Sequence, residues 1–278
     1  MKYIFLTLSI LAMVLSSIWL FQEPSIETGI VLLGGVAGLL STVYNGFYEK
    51  KDNSFLFFEK FQSIWEDDDL SVNKKLNYTK KLLPKKSKGL LIYLDFKLEI
   101  NINEMGDAEI IWSIKASNIG SKSLLGESKS IWFEKNQKDD INIIATTSRA
   151  VPIQIQLQRD YENMKQFFVN FVDSIKPKEV FDYSYSYTAK KMFTKDHYWD
   201  WQVAHNIVNA EIIINQQKEK KFKTCNIINE SEVGISNEIE SNLSTMETEE
   251  NKVTIKWIKA FPKPNSKYKI TWEFYENE

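Results

Sequence analysis

The sequence predicts an N-terminal two-helix transmembrane hairpin followed by an all-β domain, either an antiparallel sandwich or a barrel. Two uncharged apolar runs, Tyr3–Phe21 and Gly29–Phe47, lie close together near the amino terminus. A lysine-rich segment with helical periodicity follows them. Beyond it the apolar residues alternate with period two, as in strands that bury one face. We therefore divide the chain into a transmembrane hairpin (1–48), a basic juxtamembrane linker (49–88) and a β domain (89–278).

The first apolar run is long enough to cross a bilayer. At 1.5 Å per residue, Tyr3–Phe21 extends over about 28 Å, close to the ~30 Å hydrocarbon core. A secretory signal peptide is the alternative, with Leu15-Ser16-Ser17 as its cleavage site. The apolar run continues past that site to Phe21, and a second run follows almost at once. Both features favour a membrane span.

The charges around the two runs predict their orientation. The short turn between them carries Glu23 and Glu27 and no basic residue, whereas Lys50 and Lys51 follow the second run and Lys2 precedes the first. Basic residues flanking spans mark the cytoplasmic side. We expect a multi-pass membrane protein with both termini in the cytoplasm.

The second run carries a stripe of small residues at every fourth position. Its members are Gly34, Gly38, Thr42 and Gly46, which share one face of a helix. Such stripes let two helix backbones approach closely in a membrane. The stripe either packs the second helix against the first within one chain or drives self-association between chains, and the sequence leaves both open.

The linker is basic and predicted to be helical. Residues 74–88 carry seven lysines, the first of them interleaved with leucines, and Pro84 closes the helical segment. A basic amphipathic helix next to a membrane lies on anionic headgroups or forms a solvated connection. Both interpretations remain open.

Period-two alternation marks the β domain. We predict a further strand after the loop that begins at residue 190, and we predict loop structure for the polar stretch 230–248. The segments with strand-like alternation are 91–102, 108–117, 128–135, 141–147, 151–160, 165–175, 179–189, 206–217, 221–227, 252–260 and 266–276.

The composition argues against several classes of function. The formal net charge is −2, and the chain has one cysteine and two histidines. DNA and RNA binding needs a strongly basic face, so we expect neither. One cysteine and two histidines do not make a typical zinc site, and the P-loop, dinucleotide-binding and nucleophile-elbow motifs are absent. We therefore expect no enzyme activity, no cofactor and no metal.

The most unusual stretch is Glu179–Gln202, in which tyrosines alternate along one strand and tryptophans follow a lysine pair. Aromatic rings stack on nucleobases and cations bind phosphates, so this composition suits a cyclic nucleotide. The alternative is a core strand whose tyrosine rings fill the interior. The candidate ligand-binding residues are Tyr185, Tyr187, Lys190, Lys191, His197, Tyr198, Trp199 and Trp201, with the two arginines Arg149 and Arg159.

Two spans, an acidic turn and a β-rich cytoplasmic domain resemble the two-transmembrane, β-strand-rich effectors of bacterial anti-phage signalling systems. In that family a nucleotide synthase makes a cyclic messenger, the β domain senses it, and the assembled spans disrupt the inner membrane. The resemblance implies a homo-oligomer in the bacterial inner membrane, with membrane lipid and a cyclic nucleotide or a defence-system protein as partners. A second likeness, through "KPKEVFDYSYSYTAKKMF" and "YKITW", is to sandwich domains of bacterial conflict proteins and implies an interaction module.

Three hypotheses for function follow. The first is an anti-phage effector whose β domain senses a cyclic nucleotide or a protein partner and whose hairpins self-associate to disrupt the membrane. The second is a membrane-tethered protein-interaction module in which the hairpin is only an anchor. The third is an enzyme, for which His197 and Asp200 are the residues to change.

Overall fold

A computed structural model of the chain describes two compact units, Met1–Ser63 and Ile64–Glu278. The predicted packing stripe Gly34, Gly38, Thr42 and Gly46 lies outside the described residues, and so do the predicted spans except for three helical positions. Within the described part of the chain, no helix is both long enough and apolar enough to cross a membrane. The described residues are 14, 17, 18, 57–82, 90–133, 141–146, 152–194, 197–217, 222–230, 238–239, 243–247 and 252–275.

The linker contains two helices, as its periodicity predicts. Helix α1 covers residues 57–66 and helix α2 covers Val72–Leu82. Within the second unit, the indole Nε1 of Trp65 donates to Thr79 Oγ1 at 3.1 Å, and Lys75 Nζ donates to the Trp65 carbonyl at 2.8 Å. These two bonds hold the last turn of α1 against α2. Lys80 Nζ donates to the Gly120 carbonyl at 3.2 Å and attaches α2 to the β domain.

The second unit is mostly β, which confirms the predicted class of this domain. Each of the segments with period-two alternation contains a strand. Strands β11 and β12 fall in the polar stretch 230–248, so the loop prediction was wrong there. The strands are β1 Leu91–Ile102, β2 Ala108–Asn118, β3 Leu124–Trp132, β4 Ile141–Thr146, β5 Ile153–Asp160, β6 Met164–Ile175, β7 Val180–Ala189, β8 Tyr198–Gln202, β9 Asn206–Gln217, β10 Phe222–Glu230, β11 Glu238–Ile239, β12 Leu243–Glu247, β13 Lys252–Ala260 and β14 Lys267–Phe274.

The strands form three sheets. The largest has seven strands in the order β12-β13-β9-β1-β2-β7-β4, and the smaller ones have the orders β11-β10-β14-β8 and β3-β6-β5. The pair β1–β9 is parallel, with Phe96 opposite Ala210, whereas the other described pairs are antiparallel. A parallel pair needs a long connection, and here that connection carries seven other strands. The prediction of a purely antiparallel arrangement was therefore wrong at this pair.

The two smaller sheets pack on one face of the large sheet. Phe171 of β6 meets the ring edge of Phe181 on β7 at 5.1 Å between centroids. Trp201 of β8 stacks on Phe96 of β1 at 5.0 Å and meets Trp257 of β13 at 6.1 Å. At the outer sides, β4 lies next to β5, and β10 lies next to β12. The layered arrangement corresponds to the sandwich alternative, and it is open in the middle, between β3 and β8.

Candidate functional site

A groove opens between the two smaller sheets, over the centre of the large one. One wall is formed by residues 128–132 of β3 and by Phe133, which follows the strand. The other wall is formed by residues 198–202 of β8 and by residues 203–205 of the loop after it. Its floor includes Tyr93, Phe96 and Trp112 of the large sheet. The cavity volume is about 860 Å³. We call it the β3/β8 groove.

The floor of the groove is a set of packed aromatic rings. Trp112 stacks on Tyr185 at 5.8 Å between ring centroids and meets Phe96 edge-on at 5.4 Å. Phe96 in turn stacks on Trp201. Such rings bury large areas in fixed relative orientations. Trp199 also lines the groove, and its buried Nε1 has no hydrogen-bond partner among the described residues.

A buried polar cluster lies at one side of the floor; we call it the Glu127 cluster. Lys129 Nζ pairs with Glu127 Oε1 at 2.9 Å and donates to the Tyr93 hydroxyl. The Tyr93 hydroxyl donates to Glu127 Oε2 at 2.8 Å and lies 3.4 Å from the hydroxyl of Tyr183. The ring of His205 packs on Tyr93 at 4.3 Å between centroids.

The environment sets the protonation of this cluster. Burial, and then the charge of Glu127, holds the pKa of Tyr93 well above its ordinary value, so its hydroxyl keeps its proton. Burial, and then the charge of Lys129, lowers the pKa of His205 to about 3. The contact of 3.6 Å between His205 Nε2 and Glu127 Oε2 therefore joins a neutral ring to a carboxylate near pH 7. The remaining charges, Glu127 and Lys129, cancel each other.

Both lysines that line the groove are paired. Lys129 is bound to Glu127, and Lys267 Nζ lies 2.8 Å from Asp200 Oδ2 and 3.2 Å from Glu230 Oε2. Hydrogen bonds to Asp200 raise the pKa of Lys267. A phosphate entering the groove would have to compete with a carboxylate for either ammonium group.

The structure brings half of the sequence-predicted ligand residues to the groove. Tyr185 and Tyr187 are buried, as expected for a core strand, and they lie at its floor. Tyr198 stands exposed at its mouth, with Lys269 Nζ 4.9 Å from its ring centroid. The predicted residues that line the groove are Tyr185, Tyr187, Tyr198, Trp199 and Trp201.

The other predicted ligand residues do not line the groove. Lys190 and Lys191 are exposed in the turn after β7, and the backbone N–H of Lys191 donates to Asp107 Oδ1 at 2.8 Å. His197 packs edge-on against Phe274 at 5.4 Å between centroids. Arg159 is exposed near the end of β5. Arg149 lies outside the described residues.

Arg159 interacts locally: its Nη1 donates to the Tyr161 hydroxyl at 3.3 Å.

Sequence reasoning missed the Glu127 cluster, because Tyr93, Glu127 and His205 are far apart in the chain. One signal was available in β3. Glu127, Lys129 and Ile131 share a face of a period-two strand, so the charged residues occupy positions that an apolar residue marks as inward.

No protein-family model and no curated protein matches this chain. Similar solved structures include a presumed protease from Parabacteroides distasonis, at 9% identity and a TM-score of 0.44, and an M1 zinc metallopeptidase from Deinococcus radiodurans, at 7% identity and a TM-score of 0.40. The matches cover 66% of this chain but only 40% and 42% of those proteins. Similarity at this distance carries no argument about activity. Among the described residues, no group of three or more His, Cys, Asp or Glu side chains could hold a metal ion.

Proposed function

We propose that this protein is a membrane-tethered binding module and that the β domain takes its ligand in the β3/β8 groove. The observation that carries this proposal is an open cavity of about 860 Å³ with an aromatic floor, which lies between two sheets. Ligand sites are typically concave, mostly apolar and about 300–1,000 Å³ in volume. The polar groups on the walls of the groove would orient the ligand.

The pairing of the groove lysines favours a protein partner over a cyclic nucleotide. A cyclic nucleotide carries phosphate charges that need cations, and Lys129 and Lys267 already serve carboxylates. A protein segment presents apolar side chains and neutral backbone groups. These match the aromatic floor without displacing an ion pair.

A direct test measures ligand binding by the full-length protein in detergent micelles. Two probe sets are used: a panel of cyclic di- and trinucleotides and a phage-displayed library of random dodecapeptides. Tyr198→Ala removes an exposed ring at the groove mouth. Tyr161→Ala is the matched control, because Tyr161 is similarly exposed (47% against 42%) and also contacts a cation, Arg159, but does not line the groove.

We expect the selected peptides to bind at least tenfold more weakly to the Tyr198→Ala variant, about 1.4 kcal/mol, and equally well to the Tyr161→Ala variant. Nucleotide binding that depends on Tyr198 would support the groove as the ligand site but show that its ligand is a cyclic nucleotide and not a protein segment. Binding of both probe sets unaffected by Tyr198→Ala would contradict the assignment of this groove.

The effector hypothesis adds a membrane activity to this module, and its support is the small-residue stripe of the second predicted span. Replacing Gly34 and Gly38 with leucine would block close helix contact. If hairpins self-associate to disrupt the membrane, the double variant loses its toxicity on overexpression while it is still expressed and inserted. If toxicity is unchanged, or if an unrelated two-span anchor supports full function, the hairpin is an anchor only.

A further inference from the structure

The walls of the β3/β8 groove are the edges of two strands. In the described part of the chain, β3 pairs only with β6 and β8 only with β14. The groove is lined by consecutive residues, 128–133 on one side and 198–205 on the other. Successive side chains of a strand point to opposite faces, so a cavity that meets every residue in turn runs along the strand's edge.

On β3, the backbone groups that face the groove belong to Ser128, Ser130 and Trp132. The N–H of Phe133 donates to the Asn163 carbonyl at 3.1 Å, on the side of β6. In an antiparallel strand the N–H and C=O of one residue point to one side and those of the next residue to the other. The alternate residues therefore turn their backbone groups away from β6.

On β8, the corresponding residues are Tyr198, Asp200 and Gln202. The N–H of Val203 donates to the Ser266 carbonyl at 3.0 Å, and the His197 carbonyl accepts from the Trp272 N–H at 3.0 Å. Both ends of the strand thus show that odd-numbered residues bond to β14. The even-numbered residues turn their N–H and C=O groups toward the groove.

Within the described residues, the edges of β3 and β8 are unpaired over an apolar floor, which is unusual because exposed strand edges recruit further strands. The sandwich is closed on its outer sides, where β4 lies next to β5 and β10 next to β12. In a sheet layer, one strand residue occupies about 160 Å³, from a strand spacing of 4.8 Å, a layer thickness of 10 Å and a rise of 3.4 Å. The groove's volume of about 860 Å³ therefore corresponds to about five strand residues, the length of β8.

We propose that the β3/β8 groove captures one extended peptide segment of a partner protein, which adds as a strand between β3 and β8. The segment joins the four-stranded and three-stranded sheets into one continuous layer. This rests on the proposed function of the groove as the ligand site. Main-chain hydrogen bonds supply affinity in strand addition, and pockets for alternate side chains supply specificity.

The groove also defines the chemistry of the segment. Side chains that point inward meet Trp112 and Tyr185, so every second residue is apolar or aromatic. The intervening residues point outward beside Ser128, Ser130 and Gln202, and they are polar and uncharged. No inward position suits a charge, because Lys129 is already neutralised by Glu127.

The test uses dodecapeptides selected from the phage library on the full-length protein in detergent micelles. Each selected peptide is resynthesised with single N-methyl groups along its backbone, which remove one N–H at a time and leave the protein unaltered. A strand between two partners bonds to β3 and β8 at alternate residues. We therefore expect N-methylation at each of the four or five central positions to weaken binding at least tenfold.

Other outcomes overturn the proposal in distinguishable ways. If N-methylation weakens binding only at every second position, the peptide adds as a strand to β3 or to β8 but not to both. Peptides that bind without sensitivity to N-methylation, but depend on Tyr198, occupy the groove through their side chains alone, so the proposed function stands and strand addition does not. Failure to select any peptide overturns strand addition, and the nucleotide probes then decide whether the groove is a ligand site.

A protein variant gives an independent measurement. Ser130→Pro removes an N–H that faces the groove and breaks no bond to β6, so the strand tolerates it. Thr245→Pro on β12 is the control. The Phe261 N–H donates to the Val208 carbonyl, so by alternation the backbone groups of Ile255 bond to β9. Thr245 lies opposite Ile255, so its backbone N–H points away from β13 and the substitution breaks no bond between strands. We expect Ser130→Pro to weaken peptide binding at least tenfold and Thr245→Pro to leave it unchanged. Equal binding by both variants would contradict a strand on the β3 edge.

Discussion

We expect the domain to be strongly destabilised when one half of the buried ion pair of the Glu127 cluster is removed. The perturbation is Lys129→Met, which keeps most of the unbranched side chain and removes its charge. Lys129 and Glu127 are 13% and 8% exposed, and their charged atoms lie 2.9 Å apart. Among the described residues, the hydrogen-bond donor that the variant leaves to the buried Glu127 carboxylate is the Tyr93 hydroxyl.

The size of the effect follows from that geometry. At an effective dielectric constant of about 20, two unit charges at this distance attract by about 6 kcal/mol. The variant also avoids the desolvation of the lysine, which offsets part of that loss. We expect a decrease of about 3–4 kcal/mol in the free energy of unfolding, in the range found when one half of a buried pair is removed.

Denaturant unfolding of the full-length protein in detergent, followed by tryptophan fluorescence, measures this change. Lys223→Met is the control, since Lys223 and Glu273 are also 2.9 Å apart but are 49% and 59% exposed, and its effect should stay below about 1 kcal/mol. Combining Lys129→Met with Glu127→Gln removes both charges. The free energy of unfolding of the double variant should therefore decrease by at least about 2 kcal/mol less than the sum of the decreases in the two single variants. If the two effects add within about 0.5 kcal/mol, the pair is not coupled and the reasoning is refuted.

Three further predictions concern single residues. Gly126→Ala should lower the free energy of unfolding by about 1–3 kcal/mol in the same assay, because the added Cβ would clash with the Val169 carbonyl oxygen; an unchanged midpoint would show that β3 shifts freely. As the pH falls below 6.5, the unfolded chain takes up a proton at His205 before the folded chain does, because the folded pKa is about 3. Between pH 6.5 and 4.5, the free energy of unfolding of the wild type should therefore fall by about 2 kcal/mol relative to that of His205→Gln, a value that allows for the 29% exposure of the side chain. Parallel pH profiles of the two proteins would argue against a buried neutral ring. Burial raises the pKa of Cys225 to about 12, so iodoacetamide should alkylate it at least a hundredfold more slowly at pH 8 than free cysteine, and a comparable rate would mean that the thiol is accessible and ionised.

The strand pattern was predictable because it is a local property. The run from Leu91 to Ile102 alternates apolar and polar residues, and β1 begins and ends at those two residues. The tyrosines of β7 share a buried face for the same reason. Strands β11 and β12 lie at the edges of their sheets, and their sequences are polar, so no apolar alternation with period two marked them.

The candidate site was predictable only where it lies within one segment. The aromatic stretch from Tyr185 to Trp201 supplied part of the groove, because its residues are close in sequence. The sequence did not predict which charged residues would lie in the groove. Lys190 and Lys191 have the composition of a phosphate site but do not line the groove, although Met192 and Phe193 of the same turn do.

By itself, the sequence determined the class of the domain and the borders of most strands, because alternation with period two reports which side of a strand is buried. It also determined which charges the chain has available. Tertiary structure alone decided that β1 pairs in parallel with β9 and that Lys129 lies beside Glu127 and Tyr93 in the interior. It also decided that, within the described residues, the edges of β3 and β8 along the groove are unpaired. Those relations join residues far apart in the chain, and they depend on how whole sheets pack, which no local pattern of side chains encodes.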